Sequence, residues 1–107
     1  MEVALKAKWV EALKSKKFEQ GQGSLHKVGP TDIHKFCCLG VLCEVAGIKS
    51  EATSDFYSYD GNQSVLTKKL RDQLGLDTID TDQLITMNDG PNSRTFAHIA
   101  SWIERNL

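Results

Sequence analysis

The sequence lacks an excess of charge of either sign, a long apolar run and a dispersed set of cysteines. Its formal net charge of -1 gives no overall positive field, so neither nucleic acid nor an anionic membrane is indicated as a partner. No stretch has the make-up of a signal peptide or a membrane span, so we expect a cytoplasmic protein. With only two prolines and 40% hydrophobic residues, the 107-residue composition is typical of one globular domain over 1–107.

The three cysteines all lie between positions 37 and 43. An odd number with two adjacent does not fit a secreted disulfide framework, so reduced thiols are expected. There is no CxxC pair, and on a helix the side chains of Cys37, Cys38 and Cys43 would point roughly 100° or more apart. We therefore predict no metal site and no cofactor.

Five segments have the apolar spacing of helices, and turn residues separate them. Leu5, Trp9 and Leu13 share one face of the first segment, which predicts an amphipathic helix with Trp9 anchored in the core. The last segment has the clearest helical pattern, and we expect it to pack against the cysteine-containing helix. The predicted helices cover about residues 2–16, 37–46, 65–74 and 96–107, and a two-turn helix is expected after Asp80, which with Gln83 has the form of a capping box, and before Gly90-Pro91.

The cysteine-containing run from Cys37 to Ala46 carries one charged residue, Glu44, and ends at Gly47, a typical helix C-cap. A segment that is apolar on all sides predicts a buried central helix, and a short buried strand is the alternative. Glycine inside a helix costs about 1 kcal/mol relative to alanine, so Gly40 is expected to let another element approach closely.

The rest of the chain predicts a small amount of β-structure. Two glycines interrupt residues 17–28, where we expect a turn or short hairpin. Residues 48–63 fit either a strand edge or an ordered loop. The predicted fold class is α+β and mainly α, with about five helices around a central buried cysteine-containing helix and a minor β-hairpin.

Thiol catalysis is one functional hypothesis. A cysteine in the first turn of a helix has its thiolate stabilised by unpaired backbone N–H groups, so Cys37 or Cys38 is the candidate nucleophile. The base would be a histidine, with His34 and His98 as the candidates. Against this, a free cysteine commonly serves as a small buried hydrophobic residue.

Two polar loops are the candidate binding sites. The loop Gln20–Gly23 either approaches a ligand with its backbone or forms a tight turn. The segment Asn88–Gly90 is either a polar site at the mouth of the fold or a helix stop. No acidic stretch has the spacing of a calcium loop. The candidate binding residues are Gln20, Gly21, Gln22, Asn88 and Asp89.

A larger pattern spans most of the chain. It consists of Trp9 with Ala12 and Leu13, then Gln20-Gly21, Leu25, Cys37-Cys38-Leu39-Gly40-Val41-Leu42-Cys43, Asn88-Asp89-Gly90, and Phe96 with Ile99 and Ala100. This pattern resembles a group of small uncharacterised bacteriophage and prophage proteins. The resemblance implies a phage or prophage origin and expression inside a bacterial host. It implies no activity, and it favours binding over catalysis by analogy with other small phage proteins.

These observations predict an accessory protein that binds a host protein or a small ligand near the Gln20–Gly23 loop and the Asn88–Gly90 segment. Two alternatives stay open. One is a cysteine-dependent enzyme with a histidine base. The other is a structural or self-associating phage protein, which would melt in a concentration-dependent way.

Overall fold

A computed structural model describes every residue from 1 to 107, with five helices and five short strands. The helices are α1 (Val3–Lys14), α2 (Cys38–Val45), α3 (Lys68–Leu74), α4 (Thr78–Asp89) and α5 (Phe96–Asn106). The strands are β1 (Glu19–Gln20), β2 (His26–Val28), β3 (His34–Phe36), β4 (Ser50–Ala52) and β5 (Tyr57–Tyr59). None of the helices has the length and apolar character needed to cross a membrane.

Helix α1 is amphipathic, as predicted, and buries Trp9 and Leu13 on one face. Trp9 is fully buried, and its indole Nε1 donates a hydrogen bond to the carbonyl oxygen of Cys38 over 2.9 Å. The ring is therefore both a large apolar contribution to the core and a polar link between α1 and α2.

The arrangement of the helices differs from the prediction. Helix α2 is buried, but the terminal helix α5 packs chiefly against α1, whereas α2 was the expected partner. Helix α2 is only eight residues long and is enclosed by α1, α4 and β3. The number of helices is as predicted, but their arrangement around a central cysteine-containing helix is wrong, because α5 packs mainly on α1 and also contacts α4.

The strands also correct the prediction of one minor hairpin over residues 17–28. The two strands in that range, β1 and β2, do not pair with each other; both pair with β3, in the order β1-β3-β2. Strand β1 is parallel to β3, and β2 is antiparallel to it. The hairpin is instead β2–β3, and its turn runs from Gly29 to Asp32. Pro30 suits the second position of such a turn, and Asp32 adopts the left-handed conformation with φ 57°.

A second sheet, formed by β4 and β5, occupies part of the segment 48–63. The residue before β5, Phe56, bridges to Lys27 of β2, so the two sheets meet edge to edge. The fold is therefore α+β with two small sheets. This contact brings Tyr57 and Tyr59 next to the β2–β3 hairpin.

Gly40 allows a close backbone approach, as the sequence predicted. A Cβ atom at this position would lie 1.7 Å from the carbonyl oxygen of Leu25. The same carbonyl accepts a hydrogen bond from the backbone N–H of Cys37 over 3.2 Å. Leu25 and the first turn of α2 can therefore lie in contact only when position 40 has no side chain.

The remaining helices follow their capping residues. Helix α3 ends at Gly75, which adopts the left-handed conformation typical of a helix C-cap glycine. Helix α4 is longer than the two turns predicted after Asp80, because Asp77 is its N-cap and accepts from the N–H of Asp80 over 2.7 Å. It ends before Gly90, so Asn88 and Asp89 form its last turn.

Candidate functional site

Two histidines of the β2–β3 hairpin form the centre of the candidate site. Nε2 of His26 lies 2.7 Å from Nδ1 of His34, within hydrogen-bond distance. His26 on β2 is the register partner of Phe36 on β3. His34 lies two residues before Phe36 on the same strand, so its side chain leaves the same face of the hairpin as that of His26. His26 is buried and His34 is exposed, so the pair connects the interior with the surface.

Aromatic rings hold His26 in place. The ring of Phe36, its register partner on β3, stacks on one side with a centroid distance of 4.0 Å. Tyr57 of β5 stacks on it as well, at 4.2 Å with an angle of 7° between the planes. The imidazole therefore has little freedom to rotate.

A polar chain continues from His26 toward the C-terminal end of α2. Nδ1 of His26 lies 3.1 Å from the hydroxyl of Tyr59, and that hydroxyl donates to Oε2 of Glu44 over 2.9 Å. Tyr59 is fully buried, whereas Glu44 is exposed. The chain of four side chains thus passes through the interior and reaches solvent at both ends.

The direction of each hydrogen bond follows from the carboxylate. An ionised Glu44 can only accept, so the proton of Tyr59 points to it, and the Tyr59 oxygen accepts from Nδ1–H of His26. Nε2 of His26 is then an acceptor and receives Nδ1–H of His34. Nε2 of His34 has no partner in the protein and is the ring nitrogen available to a ligand.

The electrostatics of the buried members agree with these directions. Burial, helped by the neighbouring His34, lowers the pKa of His26 to about 4, so its ring is neutral at pH 7. Burial and the hydrogen bond to Glu44 raise the pKa of Tyr59, so its phenol keeps the proton. The arrangement can therefore present the exposed imidazole of His34, in a fixed orientation, to a ligand that donates a hydrogen bond or a proton.

The candidate nucleophiles lie in the core. Cys37 is 4% exposed and Cys38 is fully buried. Burial raises the pKa of Cys37 to about 11 and that of Cys38 well above its usual range. Backbone N–H groups of α2 do lower the pKa of both thiols, but burial raises it by more and the charge of Asp89 raises it further. Both groups are therefore thiols at neutral pH.

The candidate bases are not paired with the cysteines. His34 bonds to His26, and the side chain of His98 on α5 is exposed and makes no hydrogen bond. The Cys38 thiol instead lies 3.7 Å from the carbonyl oxygen of Leu84. Nowhere do three or more His, Cys, Asp or Glu side chains come together as metal ligands would.

Four of the candidate binding residues do come together, around the fully buried side chain of Asn88. Oδ1 of Asn88 accepts from Nε2 of Gln20 over 3.0 Å and from the backbone N–H of Cys38 over 3.2 Å. Nδ2 donates to the carbonyl oxygen of Gly21 over 2.8 Å and to Oδ1 of Asp89 over 2.6 Å. The side chain of Gln22 stays exposed outside this cluster.

The side chain of Asn88 uses all of its hydrogen-bonding capacity inside the protein. An asparagine side chain offers two lone pairs and two N–H groups, and each has a partner here. Asn88 thereby joins the end of α4, the start of α2 and the Gln20-Gly21 segment. Its amide has no group left over for a ligand.

Sequence reasoning missed the roles of His26, Glu44, Tyr57 and Tyr59. The signal available was the alternation of aromatic and polar residues in the two short segments His34–Phe36 and Tyr57–Tyr59, which is typical of strands with one buried face. It did not indicate that the two segments lie together, because they belong to different sheets.

Comparison with known proteins gives a family without a functional name. Curated proteins and solved structures yield no match. The family described as a domain of unknown function (DUF8296) matches residues 1–63. These residues include α1, α2, all five strands and all four hydrogen-bonded side chains, which are His34, His26, Tyr59 and Glu44. Because this match covers more than half of the 107 residues, the chain belongs to the DUF8296 family.

Proposed function

We propose that the protein is a small accessory protein that binds a host protein or a small ligand at the surface around His34. The observation that supports this most is the 2.7 Å hydrogen bond between exposed His34 and buried His26. This hydrogen bond fixes the orientation of a surface imidazole. Binding sites obtain their specificity from polar groups whose positions are fixed before the ligand arrives.

The cost of this arrangement also supports a function. Burying His26 and the hydroxyl of Tyr59 is unfavourable unless every polar atom is hydrogen-bonded, and an apolar pair would fill the same volume without that requirement. The network leaves one unused nitrogen, and that nitrogen lies on the exposed residue. A purely structural network needs no such end at the surface.

Binding is preferred over thiol catalysis because the two candidate nucleophiles are buried thiols without a histidine partner. The sequence resemblance supports a phage or prophage origin and a site of action in the cytoplasm of a bacterial host. Self-association is the remaining alternative, and its signature is a melting temperature that rises with protein concentration.

The test is affinity capture from a bacterial lysate with the wild-type protein and single alanine variants, read by mass spectrometry. A partner captured by wild type and by His98→Ala, but lost with His34→Ala, supports the proposal. His98 is a matched control, since it is also an exposed histidine but has no side-chain hydrogen bond.

Two further variants test the surface that the sequence indicated. Gln22 and Asp89 are the exposed residues among the five candidates that the sequence predicted for binding. The variants Gln22→Ala and Asp89→Ala therefore alter that surface and leave His34 unchanged. Loss of the partner with these variants alone would move the binding surface to the Gln20–Gly23 loop. No difference among any of the variants would overturn both locations.

A further inference from the structure

The opposite face of the β2–β3 hairpin carries two lysines directly across from each other. Lys27 and Lys35 are register partners in the antiparallel pair, so their side chains leave the same face. Like charges in this position destabilise a sheet. The alternation of side chains along a strand places the pair on the other side from His34, so it is independent of the function proposed above.

The protein neutralises this pair poorly. The ammonium group of Lys27 has no carboxylate within 4 Å and contacts only the carbonyl oxygen of Gln22, at 3.2 Å. The ammonium group of Lys35 lies 3.9 Å from Oε1 of Glu19, and the side chains of Lys35 and Glu19 are each about half exposed. An exposed pair at this distance contributes little to stability and can be released when a ligand binds.

A cavity of about 330 Å³ lies beside the two lysines. Its wall also includes Pro30, Ile33 and Phe56, and Ile33 is 47% exposed. This volume is near the lower end of the range for small-molecule sites, and the combination of apolar wall and a few charged groups is typical of them.

The charges on the wall limit the kind of ligand. Besides the two lysines, Asp55 also lines the cavity and forms no ion pair within 4 Å. The wall itself carries two positive charges and one negative charge, and Glu19 beside Lys35 lies outside it. Such a wall can hold one small anion between the lysines but does not form the broad basic surface that a nucleic-acid backbone requires.

Gly21 closes the other side of the lysine pair. A Cβ at Gly21 would lie 2.8 Å from Cβ of Lys35 and 3.4 Å from Cε of Lys27, so the backbone there is packed against both lysine stems. Gly21 does not line the cavity. The stems are thus supported from one side while the cavity remains open on the other.

From this geometry we propose that Lys27 and Lys35 bind the carboxylate or phosphate group of a small ligand whose apolar body packs on Ile33 and Phe56. The anionic group replaces the mutual repulsion of the two ammonium groups with two charge-assisted contacts. The apolar body covers the exposed part of Ile33.

The test is a titration of the wild-type protein with four probes, followed through backbone amide chemical shifts by NMR. Phenyl phosphate and benzoate distinguish the two anionic groups. Inorganic phosphate lacks the apolar body, and benzyl alcohol lacks the charge. We expect saturable shifts at Lys27, Ile33 and Lys35 with at least one aryl anion, and binding about tenfold weaker with the two incomplete probes.

Charge variants provide the control. Lys27→Gln should weaken binding of the aryl anion about tenfold, whereas Lys8→Gln, which removes the same charge from an exposed position on helix α1, should not. In the absence of ligand, the melting temperature of Lys27→Gln should be no lower than that of the wild type, because the substitution relieves the repulsion between Lys27 and Lys35. This second measurement shows that lost binding is not lost folding.

Three results would overturn the proposal. Benzyl alcohol that binds as well as benzoate would show an apolar cavity alone. Equal binding by Lys27→Gln and Lys8→Gln would remove the lysines from the site. An absence of saturable shifts with both aryl anions would remove the site itself.

Discussion

His26 and His34 share a hydrogen bond although the first residue is only 5% exposed and the second lies at the surface of the hairpin. The pKa of His26 is lowered to about 4 from the ordinary value of 6.5, first by burial and second by His34. The unfolded chain therefore takes up a proton between these two pH values, whereas the folded protein does not.

This difference predicts a pH dependence of stability. The contribution of His26 is fully present above pH 6.5, is lost as the pH falls from 6.5 to about 4, and changes no further below that. We expect the free energy of unfolding to fall by about 3 kcal/mol across this range, since one pKa unit corresponds to about 1.4 kcal/mol. Chemical denaturation at several pH values measures it.

The control for this prediction is a pair of histidine variants. His26→Gln should flatten the dependence between pH 6.5 and 4, while His98→Gln should keep it, since His98 is exposed. Identical curves for the two variants would contradict the assignment to His26.

Asn88→Ala is predicted to destabilise the fold strongly. It removes four hydrogen bonds and leaves the buried N–H of Cys38 and the carbonyl oxygen of Gly21 without a partner. We expect a loss of about 3 kcal/mol or more in the free energy of unfolding. Asn92→Ala, at an exposed position without such contacts, should change it little. Equal effects of the two substitutions would show that the Asn88 cluster does not support the fold.

Gly40→Ala is predicted to prevent folding or to cost more than about 3 kcal/mol, because a methyl group cannot occupy the place of the Leu25 carbonyl oxygen. Gly29→Ala is the control, since a Cβ there meets no atom within 4 Å. Thermal melting of both variants measures the difference. Similar melting temperatures would mean that Leu25 and α2 are not in the contact described.

The cysteines are predicted to resist alkylation. Their thiols are buried, and burial raises the pKa of Cys37 to about 11 and that of Cys43 to about 12. Iodoacetamide at pH 7, followed by mass spectrometry, should modify each at least about a hundredfold more slowly than in denaturant. Rapid modification of Cys37 or Cys38 in the folded protein would restore the enzyme hypothesis.

The helices were predictable because their signals are local. The spacing of Leu5, Trp9 and Leu13 and the glycine after Leu74 act within one or two turns, where sequence distance and spatial distance agree. The start of α4 was misplaced by a few residues, because Asp77 and Asp80 both have the form of an N-cap and only one serves as the cap.

The sheets and the site were not predictable in the same way. Strand β1 is two residues long and pairs in parallel with β3, which lies beyond β2 in the sequence. The polar chain joins β2, β3, α2 and β5, and its contacts depend on how the two sheets meet. Such non-local pairing leaves no periodic signal in a short segment.

The contact between α1 and α5 has a consequence for synthesis of the chain. Trp9 and Leu13 of α1 are synthesised well before Ile99 and Ile103, the buried isoleucines of the helix that packs against α1. Until α5 has been made, the apolar face of α1 lacks this cover, so a chain stalled before α5 exposes apolar surface and is a substrate for chaperones and proteases.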